Sequence, residues 1–141
     1  MTLTPYSPAL FTMNQGGTGQ AAALISGTAS IAAPNGAFPG SRPVRKGESV
    51  SLYGTGLGDV RNRPALGSPS PTNPLATTLA TPTVTVGDVP ATVSFSGLAP
   101  GFVSEYQVNI QIPDNAPTGD AVQVILSIGG VTANTVAIAV Q

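Results

Sequence analysis

The chain has 141 residues, 8% of them charged, with a formal net charge of −1 and no cysteine, histidine or tryptophan. That length suits one domain, which can bury roughly two-thirds of its unfolded surface without staples. Without Cys or His, the sequence offers no disulfide, thiolate nucleophile, cysteine-based metal site or ordinary general base near neutral pH.

Met1-Thr2-Leu3-Thr4-Pro5 lacks the basic start and apolar run of a signal peptide, so a secreted form is expected to be mature or excised. No apolar stretch approaches the ~20 residues that span a bilayer. Short strands are predicted at Ala9 to Thr12 and Gln20 to Ile25, and a firmer one at Glu48 to Tyr53 with Val50 and Leu52 inward. Between Gly58 and Pro82 lies a long connection with Pro64, Pro69, Pro71, Pro74 and Pro82. It reads as an extended strap over one sheet, with a binding loop as the alternative.

The second half alternates clearly. Val84 and Val86 share one face, Gly87-Asp88 offers a turn, and Val93 and Phe95 are expected inward against Thr92, Ser94 and Ser96. Tyr106, Val108, Ile110 and Ile112 face one way, with Gln107, Asn109 and Gln111 facing the other. Val122, Val124, Leu126 and Ile128 repeat the pattern. Gly129-Gly130 supplies the positive φ angles of a hairpin, and Thr132 to Val140 returns with Val136, Ile138 and Val140 on one side. Seventeen Gly and fourteen Pro leave little room for long helices. The expected fold is all-β, an immunoglobulin-like antiparallel β-sandwich of about seven to eight short strands in one domain, 1–141.

VSLYGTGLGDV (50–60), followed by the strand pattern of 83–140, resembles the glycine-containing strand–turn of immunoglobulin-like IPT/TIG domains. More closely, SPALFT (7–12), GTGQAAAL (17–24), VSLYGTGLG (50–58), LAPGFVSEYQVNIQIP (98–113) and PTGDAVQV (117–124) resemble the C-terminal domain of large secreted proteins of Solibacter-type acidobacteria. The resemblance implies an extracellular or cell-surface immunoglobulin-like module. It carries no activity over to particular residues.

Several constellations invite a chemical reading. Gly16-Gly17-Thr18-Gly19 and Gly54-Thr55-Gly56-Leu57-Gly58 mimic phosphate cradles, but no helical pattern follows either, so both read as turns or bulges. The acids Glu48, Asp59, Asp88, Glu105, Asp114 and Asp120 form no D-x-D calcium loop. Asp59 with Asn62, or Asp114 with Asn115 and Asp120, is the alternative of a weak surface calcium site. An acid pair for glycoside hydrolysis is weighed against solvated turn acids, and the turns favour the latter. The single lysine, Lys46, precedes a strand rather than lying within one, which disfavours an isopeptide cross-link. No cofactor and no metal are expected.

All five basic residues, Arg42, Arg45, Lys46, Arg61 and Arg63, fall between 42 and 63. Glu48 and Asp59 share that window and leave it at +3, while the other four acids leave the rest at −4. The patch is small and lacks interleaved aromatics, so nucleic acid is not an expected partner, nor is membrane insertion. One basic end facing acidic surfaces elsewhere suits contacts between copies. Carbohydrate-binding sandwiches usually present flat exposed aromatics, often Trp, and the lack of Trp disfavours that reading here; Tyr53 is the ring expected to be most exposed.

The strands Ala121 to Ile128 and Thr132 to Val140 carry neither charge nor proline, the usual guards of a sheet edge. If either lies at an edge, something must cover it. The sequence therefore predicts a non-catalytic structural or interaction module, a homo-oligomer or a neighbour of other domains. Its sharper form is β-strand addition, donating Leu3, Tyr6, Leu10 and Phe11 to a sheet edge at Val136, Ile138 and Val140. Pairing of residues 1–12 inside their own domain is the simpler outcome. A ligand-binding module for polysaccharide or a cell surface is the alternative.

Overall fold

The computed structural model describes residues 6–62, 69, 75–102 and 105–141. Leu3 and Arg63 lie outside the described residues. Among those described there is no helix, and the strands are β1 (Ala9–Leu10), β2 (Gly19–Gln20), β3 (Ala23–Ile25), β4 (Ser49–Thr55), β5 (Thr83–Val86), β6 (Val89–Leu98), β7 (Tyr106–Gln111), β8 (Gly119–Ile128), β9 (Val131–Thr132) and β10 (Val136–Val140). The hydrogen-bonded path runs β1-β4-β7-β6-β5-β8-β10-β2, with β3 beside β4 and β9 beside β8. This is an all-β sandwich made from one curled ribbon.

The first sheet comprises β1, β3, β4, β7 and the end of β6; the second comprises the start of β6, β5, β8, β9, β10 and β2. Two runs of chain belong to both sheets. β6 pairs with β5 over Val89 to Ala91 and with β7 over Thr92 to Leu98. Residues 19–25 do the same at the other corner, where β2 lies beside β10 and β3 beside β4. The ribbon therefore closes on itself.

Closure accounts for the parallel pairing of β2 with β10, against the expectation of a wholly antiparallel sandwich. The direction of 19–25 is set by antiparallel pairing with β4, and the same run then meets β10 in parallel. The corner is tight, and Ala21, Ala23, Ala32 and Ala33 fill it with fully buried methyl groups. The Gln20 side chain crosses it, its Nε2 donating to the Ala32 carbonyl at 2.9 Å.

The predicted inward residues make the core. Val50, Leu52, Val84, Val86, Val108, Ile110, Ile112, Val124, Leu126, Ile128, Val136 and Ile138 are all buried between the sheets. Phe95 is the exception. The β6–β7 register slips between Val93 and Phe95, and this bulge reverses the alternation. Val93 stays against the core, while Phe95 pairs with Asn109 on the outer side. The strap also differs from expectation. Its described part lies along the sheet edge rather than over a face, with Thr77 bridging Gly97 and Val60 bridging Thr78.

Neither charge-free strand is an open edge. β8 lies between β5 and β10, and the far side of β10 is covered by residues 19–21, Ala32 and Val44. The N-terminal segment is tied down as well. Ser7 and Phe11 donate to the Gly56 and Tyr53 carbonyls, and Met13 to that of Gln20. The GTGLG cluster makes room for it: a Cβ on Gly56 would lie 1.9 Å from the Ser7 oxygen, and one on Gly58 2.6 Å from the Tyr6 ring. Tyr6 also presses on Gly129 of the β8–β9 turn, so its ring plugs one end of the sandwich.

Asn134, in the interruption between β9 and β10, completes the seam. Its Oδ1 accepts from the Leu10 N–H at 2.7 Å, and its Nδ2 donates to the carbonyls of Leu10 at 3.0 Å and Gly17 at 2.7 Å. One side chain thus replaces a strand partner along the outer edge of β1. Asn134→Ala leaves both polar groups of Leu10 without that partner and should cost about 2–3 kcal/mol. Urea denaturation measures the loss, and hydrogen exchange should show the Leu10 amide opening faster; unchanged exchange there would contradict this role.

Candidate functional site

The two outer faces of the sandwich differ in chemistry. On the second sheet the outward positions include Thr83, Thr85, Gln123, Ile125, Ser127 and Ala137. These are mostly small side chains, without an aromatic ring. On the first sheet, registration lines up Phe11, Tyr53, Gln107, Gly97, Thr77 and Arg61 in one row across the strands. Beside it runs a second row, Leu24, Ser51, Asn109 and Phe95. Five strand spacings make the first row roughly 24 Å long.

Local contacts fix this surface. Ser51, 7% exposed, lies beside Gln107 and accepts from its Nε2 at 3.5 Å. Gln107 Nε2 also donates to Asn109 Oδ1 at 2.9 Å. Gln111, next along β7, donates to the Gly47 carbonyl at 3.2 Å. Partial burial pushes the Tyr53 hydroxyl pKa up, and the nearby Glu105 charge adds to that shift. Gly97 is a gap in the row that the Phe95 ring covers, its Cζ 2.8 Å from where a Cβ would stand. Phe11, 39% exposed, ends the row and also lines a cleft of about 410 Å³ with Pro8, Thr12, Gln15 and Asn134.

The residues expected from sequence to make contacts scatter. Tyr6 is wedged inside the chain, Leu10 is buried, and Val136, Ile138 and Val140 belong to the core. These four aliphatic side chains have turned inward because the ribbon closes over them. Phe11 and Arg61 reach the surface on one face, in the same row as Tyr53. The basic window does not form one end. Arg42, Arg45 and Lys46 precede β4, whereas Arg61 is at the opposite edge of the sheet, on the order of 20 Å away. The intervening β4 separates what the sequence places close together. Gln107, Asn109 and Gln111 were legible as outward positions from their alternation, but their joining with Phe11 and Tyr53 depends on register.

The first basic cluster is partly neutralised. Arg42 donates to Glu48 from both terminal guanidinium nitrogens at 3.0 Å, and the Arg45 N–H donates to Glu48 Oε1 at 2.8 Å. These bonds, the Arg42 one first, hold the Glu48 pKa at about 2. Among the described residues, no group of three or more acids gathers as a cation site.

Comparison with protein families, curated proteins and solved structures finds no match to this chain.

The lowered pKa of Glu48 has a definite consequence for stability. Its contribution should be complete above pH 4.5, its unperturbed value, and fade as pH falls toward about 2. Urea melts of the wild type and Glu48→Gln should therefore differ near neutrality and converge at the acid end. A gap independent of pH would show that the carboxylate charge is not what ties down the 42–48 loop.

Proposed function

We propose that this chain is a non-catalytic, extracellular, immunoglobulin-like interaction module whose working surface is the outer face of its first sheet. The observation that carries this reading is the contrast between the two faces. Rings and amides gather on one, mostly small side chains on the other, although both sheets contribute to a shared core. Aromatic side chains bring large contact area at low entropic cost, and a half-buried Tyr suits a surface that is covered and uncovered in use. The absence of His and Cys, with no base to activate a Ser or Thr, favours binding over chemistry.

Strand addition through the N-terminus receives less support than contact through a face. Residues 7–13 are paired within the chain, Pro8 has no N–H to donate, and Asn134 occupies both polar groups of Leu10. The outer edge of β1 is thus blunted against a further strand. Packing against copies or neighbouring domains fits the face equally well as a mode of contact. The extracellular placement rests on the resemblance to secreted acidobacterial domains and on the sparse charge.

Two measurements test this together: sedimentation velocity over a concentration series, and co-sedimentation with insoluble bacterial envelope material. Tyr53→Ala and Asn109→Ala should abolish whatever association is seen, while Thr85→Ala and Gln123→Ala on the other face should leave it intact. Association affected equally by both pairs, or none at all, would count against this surface.

A further inference from the structure

Building on that reading of the first-sheet face, we infer that its ligand is a neutral polysaccharide, held across the row from Phe11 to Arg61. A sugar ring has C–H faces and an equator of hydroxyl groups that both donate and accept. Its binding surface therefore needs flat apolar groups alternating with groups of both hydrogen-bonding senses, and no uncompensated charge to desolvate. The first-sheet face has this combination.

Phe11 and Tyr53 stand directly opposite each other on neighbouring strands, so two rings occupy adjacent positions on one surface. Phe95 adds a third, two strands farther along. Between them stands the amide pair. Gln107 Nε2 is spent on Asn109 and Ser51, and among the described residues Gln107 Oε1 has no donor and Asn109 Nδ2 no acceptor, so both face outward for a ligand. Gln111 Oε1 adds an acceptor one step along β7. A fixed donor beside a fixed acceptor complements a pair of neighbouring hydroxyls. The amide-to-amide bond holds the two in place before any ligand arrives, which lowers the entropic cost of binding.

Charge argues in the same direction. Arg61 marks one end of the row, and Glu105 is close enough to Tyr53 to raise its pKa, so the face presents both signs at its margins and amides at its centre. Among the described residues, a polyanion would find one cation, Arg61, along roughly 24 Å of this row. That span accommodates several sugar rings, and the cleft beyond Phe11, with Thr12 and Gln15 in its wall, continues the track past the edge of the sheet.

The test is affinity electrophoresis of the intact chain in gels containing mixed-linkage β-glucan, xyloglucan, galactomannan, dextran or, as an anionic control, polygalacturonate, followed by titration calorimetry on the best of them. At least one neutral polymer should retard the chain, with Tyr53→Ala and Asn109→Ala each weakening binding by about tenfold or more and Thr85→Ala leaving it unchanged. Binding should be insensitive to salt between about 50 and about 500 mM, because no charge pair carries it. Circular dichroism and thermal melts confirm that the variants fold. Retardation by no neutral polymer, retardation by polygalacturonate alone, or binding indifferent to both face variants would overturn the polysaccharide assignment. If self-association or envelope binding is nevertheless lost in Tyr53→Ala, the face remains the working surface and its partner is a protein.

Discussion

Closure of the ribbon at its two corners is the constraint on which the rest of this structure depends. At one corner β6 passes from sheet to sheet through its bulge, and at the other residues 19–25 do so through a run of alanines. Any larger side chain at Ala21 or Ala23 would push the sheets apart where they converge. Because the corners are shared runs of chain, β6 and residues 19–25 are each held by both sheets. Freeing either run therefore requires breaking pairs in both.

This constraint explains how two strands without a charge or proline avoid joining other molecules. The usual guards of an edge are unnecessary where there is no edge. It also explains why the seam is held by a side chain. β1 pairs with β4 on one side only, and its other side would be a short open edge without Asn134. An amide is suited to this position because it carries a donor and an acceptor on one planar group, as a backbone peptide does. Tyr6, lodged against Gly58 and Gly129, closes the adjacent end by bulk rather than by hydrogen bonding.

With β8 and β10 both covered and the core filled, the outside of the sheets is the larger surface left for contact. There the bulge in β6 has a second effect. By reversing the alternation it moves Phe95 from the core side to the outer side, beside Asn109 and over Gly97. The same irregularity that turns the corner thus adds an aromatic ring to the amide-bearing face. Ser51 performs a parallel service from β4, its small buried hydroxyl lying within reach of Gln107 Nε2. Function, on this reading, is carried by outward positions whose backbone is fixed for structural reasons.

Alternation in the sequence was enough to determine the all-β class, the inward valines, leucines and isoleucines of β4, β5, β7, β8 and β10, and the Gly87-Asp88 and Gly129-Gly130 turns. Period-two patterning and turn chemistry are local, and a strand's inward face follows from its own residues. The outward amides of β7 were legible for the same reason. Only tertiary structure decided which strands meet across the corners, that the last strand is covered, that Phe95 points out, and that Arg61 is far from Arg42. Each of these depends on pairing partners distant in sequence, or on a one-residue slip that shifts every later side chain to the other face. The row from Phe11 through Tyr53 and Gln107 to Arg61 is assembled from segments spread over nearly a hundred residues. No local pattern encodes it, because it exists only when the register of each neighbouring pair is set.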